Sequence, residues 1–90
     1  MYKLERSKRK NKKFNVNGIH FGDNRYEDYT IHKDVKRKEA YITRHKKREN
    51  WTKSGINTAG FWSRWLLWNK PSIQDSIKDI EKRFNISIKY

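Results

Sequence analysis

The chain has no cysteine, one proline, four glycines and ten acidic residues among its 90 positions. Without cysteine there is no disulfide scaffold, no thiolate metal site and no cysteine nucleophile, and cysteine usage leaves the redox compartment undetermined. No stretch approaches the roughly 18 apolar residues of a membrane span. The opening segment Met1-Tyr2-Lys3-Leu4-Glu5 lacks the apolar run of a signal peptide. The expected location is therefore the interior of a cell or a particle, not the secreted space. The glycines, Gly18, Gly22, Gly55 and Gly60, are scattered, so no Gly-rich loop is present to cradle a phosphate, which argues against a nucleotide-hydrolysing enzyme. The three histidines, His20, His32 and His45, show no His-x-x-x-His spacing, and Glu27, Asp28 and Asp34 have lysines and arginines nearby to pair with. No metal site or metal-dependent nuclease is assigned on that basis. Tyr29 or Tyr41 as a covalent nucleophile would require a cluster of Arg and His around it, which spacing alone cannot show. The expectation is a protein with no enzymatic activity and no cofactor.

What the chain has in abundance is positive charge. Twenty-three Lys and Arg against ten Asp and Glu give a net charge of +13, a self-repulsion that a polyanionic partner relieves. The excess sits in blocks. Residues 1–13 carry seven basic and one acidic side chain, and residues 14–30 carry one basic and three acidic. Residues 31–50 carry eight basic and three acidic, and residues 51–90 seven and three. Apolar residues make up only 33% of the chain, yet 14% of residues are aromatic, so a few large rings must supply much of a single small core. All four tryptophans, Trp51, Trp62, Trp65 and Trp68, follow directly on the basic run Arg44-His45-Lys46-Lys47-Arg48.

The pattern along the chain predicts one α+β domain over residues 1–90, with an N-terminal antiparallel sheet, about three helices and a returning C-terminal strand. Tyr2 to Arg6 alternates. Lys13 to Val16 and Ile19 to Phe21 flank Asn17-Gly18, a strong hairpin signal because both central positions of a type I′ turn need positive φ. Arg25 to Lys33 reads as a connector. From Asp34 to about Lys47 there is no Gly or Pro, Asp34 can cap, and Val35, Tyr41, Ile42 and His45 fall on one side at helical spacing. Asn50 to Gly60 reads as a loop. Thr58 or Gly60 then starts a short helix in which Phe61, Trp62, Trp65, Leu66 and Trp68 span about 160° of the wheel. Pro71 breaks it, Ser72 to Asp75 resembles a capping box, and Ile73, Ile77, Ile80 and Phe84 form a narrow stripe ending at a candidate C-cap, Asn85. Ile86 to Tyr90 alternates again. There is neither an internal repeat nor a disordered linker.

Several strings carry a resemblance. His20 to Asp23, Arg25 to Thr30 with His32-Lys33-Asp34, Arg44 to Trp51, and above all Thr58 to Ser72 (TAGFWSRWLLWNKPS) resemble a family of small basic proteins encoded by large DNA viruses of protists, over about residues 20–86. The resemblance implies a viral origin, with a nuclear, viral-factory or virion-interior location. It supplies no activity and no site residues.

The candidate site comes from the residues themselves. Lys8, Arg9, Lys10, Lys12 and Lys13 on the hairpin, with Lys36, Arg37, Arg44, Lys46, Lys47 and Arg48 on or beside the first long helix, suit phosphate neutralisation, where each contact releases counterions. Phe61, Trp62, Trp65 and Leu66 are assigned to the core. Trp51 and Trp68, with Tyr26 or Tyr29, are the rings available for stacking on bases. A Trp-rich helix at a membrane interface is the weaker use of the same segment, and no membrane partner is expected. The expected function is non-enzymatic nucleic-acid binding of weak sequence specificity, with DNA ahead of RNA and oligomeric state open. The alternatives are a virion cement or scaffold protein, and an adaptor that binds an acidic protein partner.

Overall fold

The structure, a computed structural model, describes residues 1–90. Its sheet starts at Asn17 and Gly18, whose φ values of 49° and 91° match the type I′ requirement and join β2 (Lys12–Val16) to β3 (Ile19–Asp23). Asn15 Oδ1 accepts from the Gly18 N–H at 2.8 Å and fastens the turn. β1 (Tyr2–Arg6) lies antiparallel to β2 with Leu4 opposite Val16 and Arg6 opposite Phe14. β4 (Ile88–Lys89) returns and pairs parallel to β1, giving the order β3-β2-β1-β4. The predicted three-stranded start and the added C-terminal strand are both present.

The predicted connector contains a helical turn. Asp28 caps α1 (Tyr29–His32) by accepting from the Thr30 N–H, and Lys33 ends it in the left-handed region at φ 56°. This turn buries Tyr29, which was expected to be partly exposed, and leaves Tyr26 at 69% exposure. Asp34 then caps α2 (Val35–His45), accepting from the N–H groups of Lys36 and Arg37. The face of α2 turned to the domain is Lys38, Tyr41, Ile42 and His45, an i, i+3, i+4, i+7 stripe. Val35, expected in that stripe, is 53% exposed because it lies one turn before the covered stretch. Its place is taken by Lys38, whose ammonium donates to the Asn69 carbonyl at 2.7 Å and lies 4.9 Å from the Tyr29 ring centre. Burial, with Arg64 and Lys70 nearby, holds that ammonium below the ordinary lysine range.

After a 3-10 turn at Lys53–Gly55, Thr58 caps α3 (Ala59–Trp62), which runs directly into a π-helical turn over Ser63–Leu67. The Trp68 N–H donates to the Ser63 carbonyl at 3.1 Å, an i→i+5 bond. This wider turn explains a residue that wheel geometry missed. At 100° per residue Leu67 points away from Phe61 and Trp62, but in the π turn it is 2% exposed and sits in the core. Trp62 is fully buried with its indole N–H satisfied by the Ile56 carbonyl at 2.7 Å. A buried ring of this kind removes roughly 150–250 Å² from water, worth about 4–6 kcal/mol. Ser72 caps α4 (Ile73–Phe84) and Asn85 closes it in the left-handed region. Ile77, Ile80 and Phe84 join Leu4, Phe14, Val16, Phe21, Phe61 and Leu66 in one core between the sheet and the C-terminal helices. No helix is long and apolar enough to cross a membrane.

Candidate nucleic-acid interface

Two segments far apart in sequence meet at one end of the sheet. The Ser7–Asn11 turn joins β1 to β2, and the Asn24 N–H donates to the Asn11 carbonyl at 3.1 Å, so this turn sits beside the end of β3. The same end of the sheet opens into a cleft of about 430 Å³ that α2 walls on its other side. Lys12 from β2 and Arg44 from α2 line it together, as does the exposed Tyr26. The hairpin block, through Lys12 and Lys13, and the helix block, through Arg44, therefore each reach a single concavity.

The charged side chains sort by whether the protein already uses them. Lys8, Arg9, Lys10 and Lys12 are exposed and make no ion pair, as are Lys36, Arg44, Lys46, Lys47 and Arg48. Lys46 to Arg48 follow the last turn of α2, where the helix dipole favours positive charge. Arg37 reaches Glu27 at 3.4 Å across two half-exposed side chains, an interaction worth little in water. Lys13 is different. Its ammonium is bound to Asp28, with both side chains largely buried, so it serves the fold and is not available to a phosphate. Asp28 also accepts from the Thr30 N–H at 2.9 Å and the Thr30 hydroxyl.

The aromatic candidates are likewise engaged within the protein. Trp68 stacks on Tyr41 with centroids 4.4 Å apart and planes 3° from parallel, and Tyr41 also stacks on His45 at 4.3 Å. Trp51 donates its indole N–H to Glu49 Oε1 at 3.0 Å and lies 6.3 Å from Tyr41. The Arg64 guanidinium sits 4.4 Å from the Trp65 centroid and 5.4 Å from that of Trp51, while Arg83 takes another position 4.5 Å from Trp65. Arg64 also donates to the Trp68 carbonyl at 2.7 Å. Trp51 and Trp68 each keep part of their surface in solvent, Trp68 along the cleft.

Composition and spacing did not bring out His45 and Glu49 as a pair. His45 Nδ1 lies 3.3 Å from Glu49 Oε2, its Nε2 carries no protein partner, and both residues line the cleft. Their i,i+4 spacing was the available signal. Every carboxylate in the cleft has a cation or donor of its own: Asp23 has Arg25, Glu27 has Arg37, Asp28 has Lys13, and Glu49 has Trp51 and His45. The Arg25 hydrogen bonds pull the Asp23 carboxyl down to about 2. The charged groups left over are Lys12 and Arg44, both positive. No group of three or more His, Cys, Asp or Glu is placed to hold a metal ion.

Residues 2–45 match a family of unknown function (DUF5754). The matched stretch runs from β1 to the end of α2 and stops before the tryptophan-rich segment. Comparison with curated proteins and with solved structures finds no match to the chain.

Proposed function

We propose that this protein binds nucleic acid without catalysing a reaction, through phosphate contacts from the hairpin turn and the C-terminal end of α2. The observation that supports this most is that Lys12 of the hairpin block and Arg44 of the helix block line one cleft without ion-pair partners, while Asp23, Asp28 and Glu49 there hold partners of their own. Lys8, Arg9 and Lys10, close to Lys12 in the chain, and Lys46, Lys47 and Arg48, close to Arg44, are exposed and supply further cations. Long cations on two separate elements can follow a phosphate backbone, and such contacts carry no sequence code, so binding is of weak sequence specificity. A small basic protein of this kind suits genome packaging or support of replication and transcription in a virus. The direct test is affinity for duplex DNA, single-stranded DNA and RNA across a salt series. Binding near 50 mM salt that falls steeply with added salt is the expected result, and no binding to any of the three at about 50 mM salt refutes it.

A further inference from the structure

We infer that the cleft between β2, β3 and α2 is a pocket for one unstacked nucleotide of a bound strand. The inference rests on the nucleic-acid reading above but adds a ligand unit and a place for it. The cleft's volume of about 430 Å³ falls within the range of small-ligand sites, and its lining is divided by chemistry. One part is apolar and aromatic, with Phe21, Leu67 and Tyr41 buried behind it and the partly exposed Trp68 and the exposed Tyr26 at its surface. The other part presents Lys12 and Arg44, the two cleft cations without ion-pair partners. A base with its sugar fits the first part, and its phosphate fits the second.

Two further groups point the same way. The His45 ring is held by Glu49 on one edge and by the Tyr41 face, which leaves Nε2 as its open hydrogen-bonding atom. Ser63, half-buried on the cleft wall, offers a hydroxyl that is open to solvent. Polar atoms that line an apolar-floored cleft without partners are the kind that fix a ligand's orientation. A paired duplex cannot enter a cleft of this size, so the pocket selects for an unpaired position or a strand end.

The test uses the full chain and follows intrinsic tryptophan fluorescence, because Trp68 lies on the cleft. Adenosine and cytidine 5′-monophosphate, inorganic phosphate, a short single strand and a blunt hairpin duplex are titrated separately and in competition. The nucleotides should quench saturably and displace the single strand, and Trp68→Phe should remove most of the quench. Arg44→Ala should weaken nucleotide binding about tenfold, as expected for a lost charge-assisted hydrogen bond, whereas Lys78→Ala on α4 should leave it unchanged. If neither nucleotide binds at millimolar concentration while strand and duplex still bind with a steep salt dependence, the pocket is refuted and the general function stands. Inorganic phosphate competing as well as the nucleotides refutes the base-binding part. Nucleotide binding without any polynucleotide binding refutes the broader function and, with it, the assignment of the pocket to a bound strand.

Discussion

Tyr41 and Trp68 stack with their planes 3° from parallel and their centroids 4.4 Å apart, which ties α2 to the end of the π-helical turn and makes one wall of the cleft. Burial pushes the Tyr41 phenol above the ordinary tyrosine range, and the charge of Glu49 adds to the shift. The folded state keeps this proton at a pH where the unfolded chain has lost it. The contribution is therefore complete below the unfolded value of about 10 and is lost as pH rises through the folded one. Phenolate absorbance should show a late titration step, and Tyr41→Phe should abolish it. A late step that survives Tyr41→Phe, or no late step at all, would contradict the buried stack.

Lys13 and Asp28 form a largely buried ion pair beside the cleft. Lys13→Ala strands a carboxylate that is 3% exposed and should cost about 3–5 kcal/mol by denaturant unfolding. Adding Asp28→Asn should recover part of the loss, since it removes the stranded charge. Lys12→Ala, one residue away, should leave stability unchanged and weaken polynucleotide binding.

Replacing Lys46, Lys47 and Arg48 together by alanine should flatten the slope of log affinity against log salt by about 2 to 3 units if all three contact phosphate. Thermal stability should change little, because all three are exposed and unpaired. An unaltered slope would remove this segment from the interface. Neutralising Lys8, Arg9 and Lys10 tests the other side in the same way.

Gly22 has φ 79° in β3, and a Cβ there would lie 2.8 Å from Leu67 Cδ1 and 3.2 Å from Lys13 Cβ. Gly22→Ala should destabilise by about 1–3 kcal/mol, through strain and forced repacking of Leu67. Gly18 has φ 91° with open space around it, so Gly18→Ala meets only the conformational penalty, about 1 kcal/mol. Paired denaturant curves check the ordering, and equal costs would show that Leu67 moves freely.

Local signals in this chain were strong where one residue type has a single physical use. Asn17-Gly18 as a turn, Asp34 and Ser72 as caps, Asn85 as a left-handed terminator and the Ile73 to Phe84 stripe could all be read directly, because each depends on neighbours within a few positions. The π turn could not, since i→i+5 pairing is rare and the wheel assumes 100° per residue, so Leu67 is left out of the predicted buried stripe. Val35 and Lys38 exchanged roles for a similar reason. Periodicity marks a face of α2, but which turns of that face are covered depends on where the Asn69 and Pro71 carbonyls arrive to take Lys38 and Lys33.

The candidate site divides along the same line. Composition determined the sign of the charge, its two blocks and the scarcity of aliphatics that drives rings into the core, because these are sums over residues and need no coordinates. Only the tertiary structure decided which cations are free. Lys12 and Lys13 are adjacent and chemically alike in sequence, and both line the cleft, yet Lys12 is exposed and unpaired while Lys13 is held in a largely buried ion pair with Asp28. The pairing of His45 with Glu49, and of Trp68 with Tyr41, depended equally on how α2 docks on the π turn, since a side chain's partner is set by what the fold brings within about 3–4 Å of it.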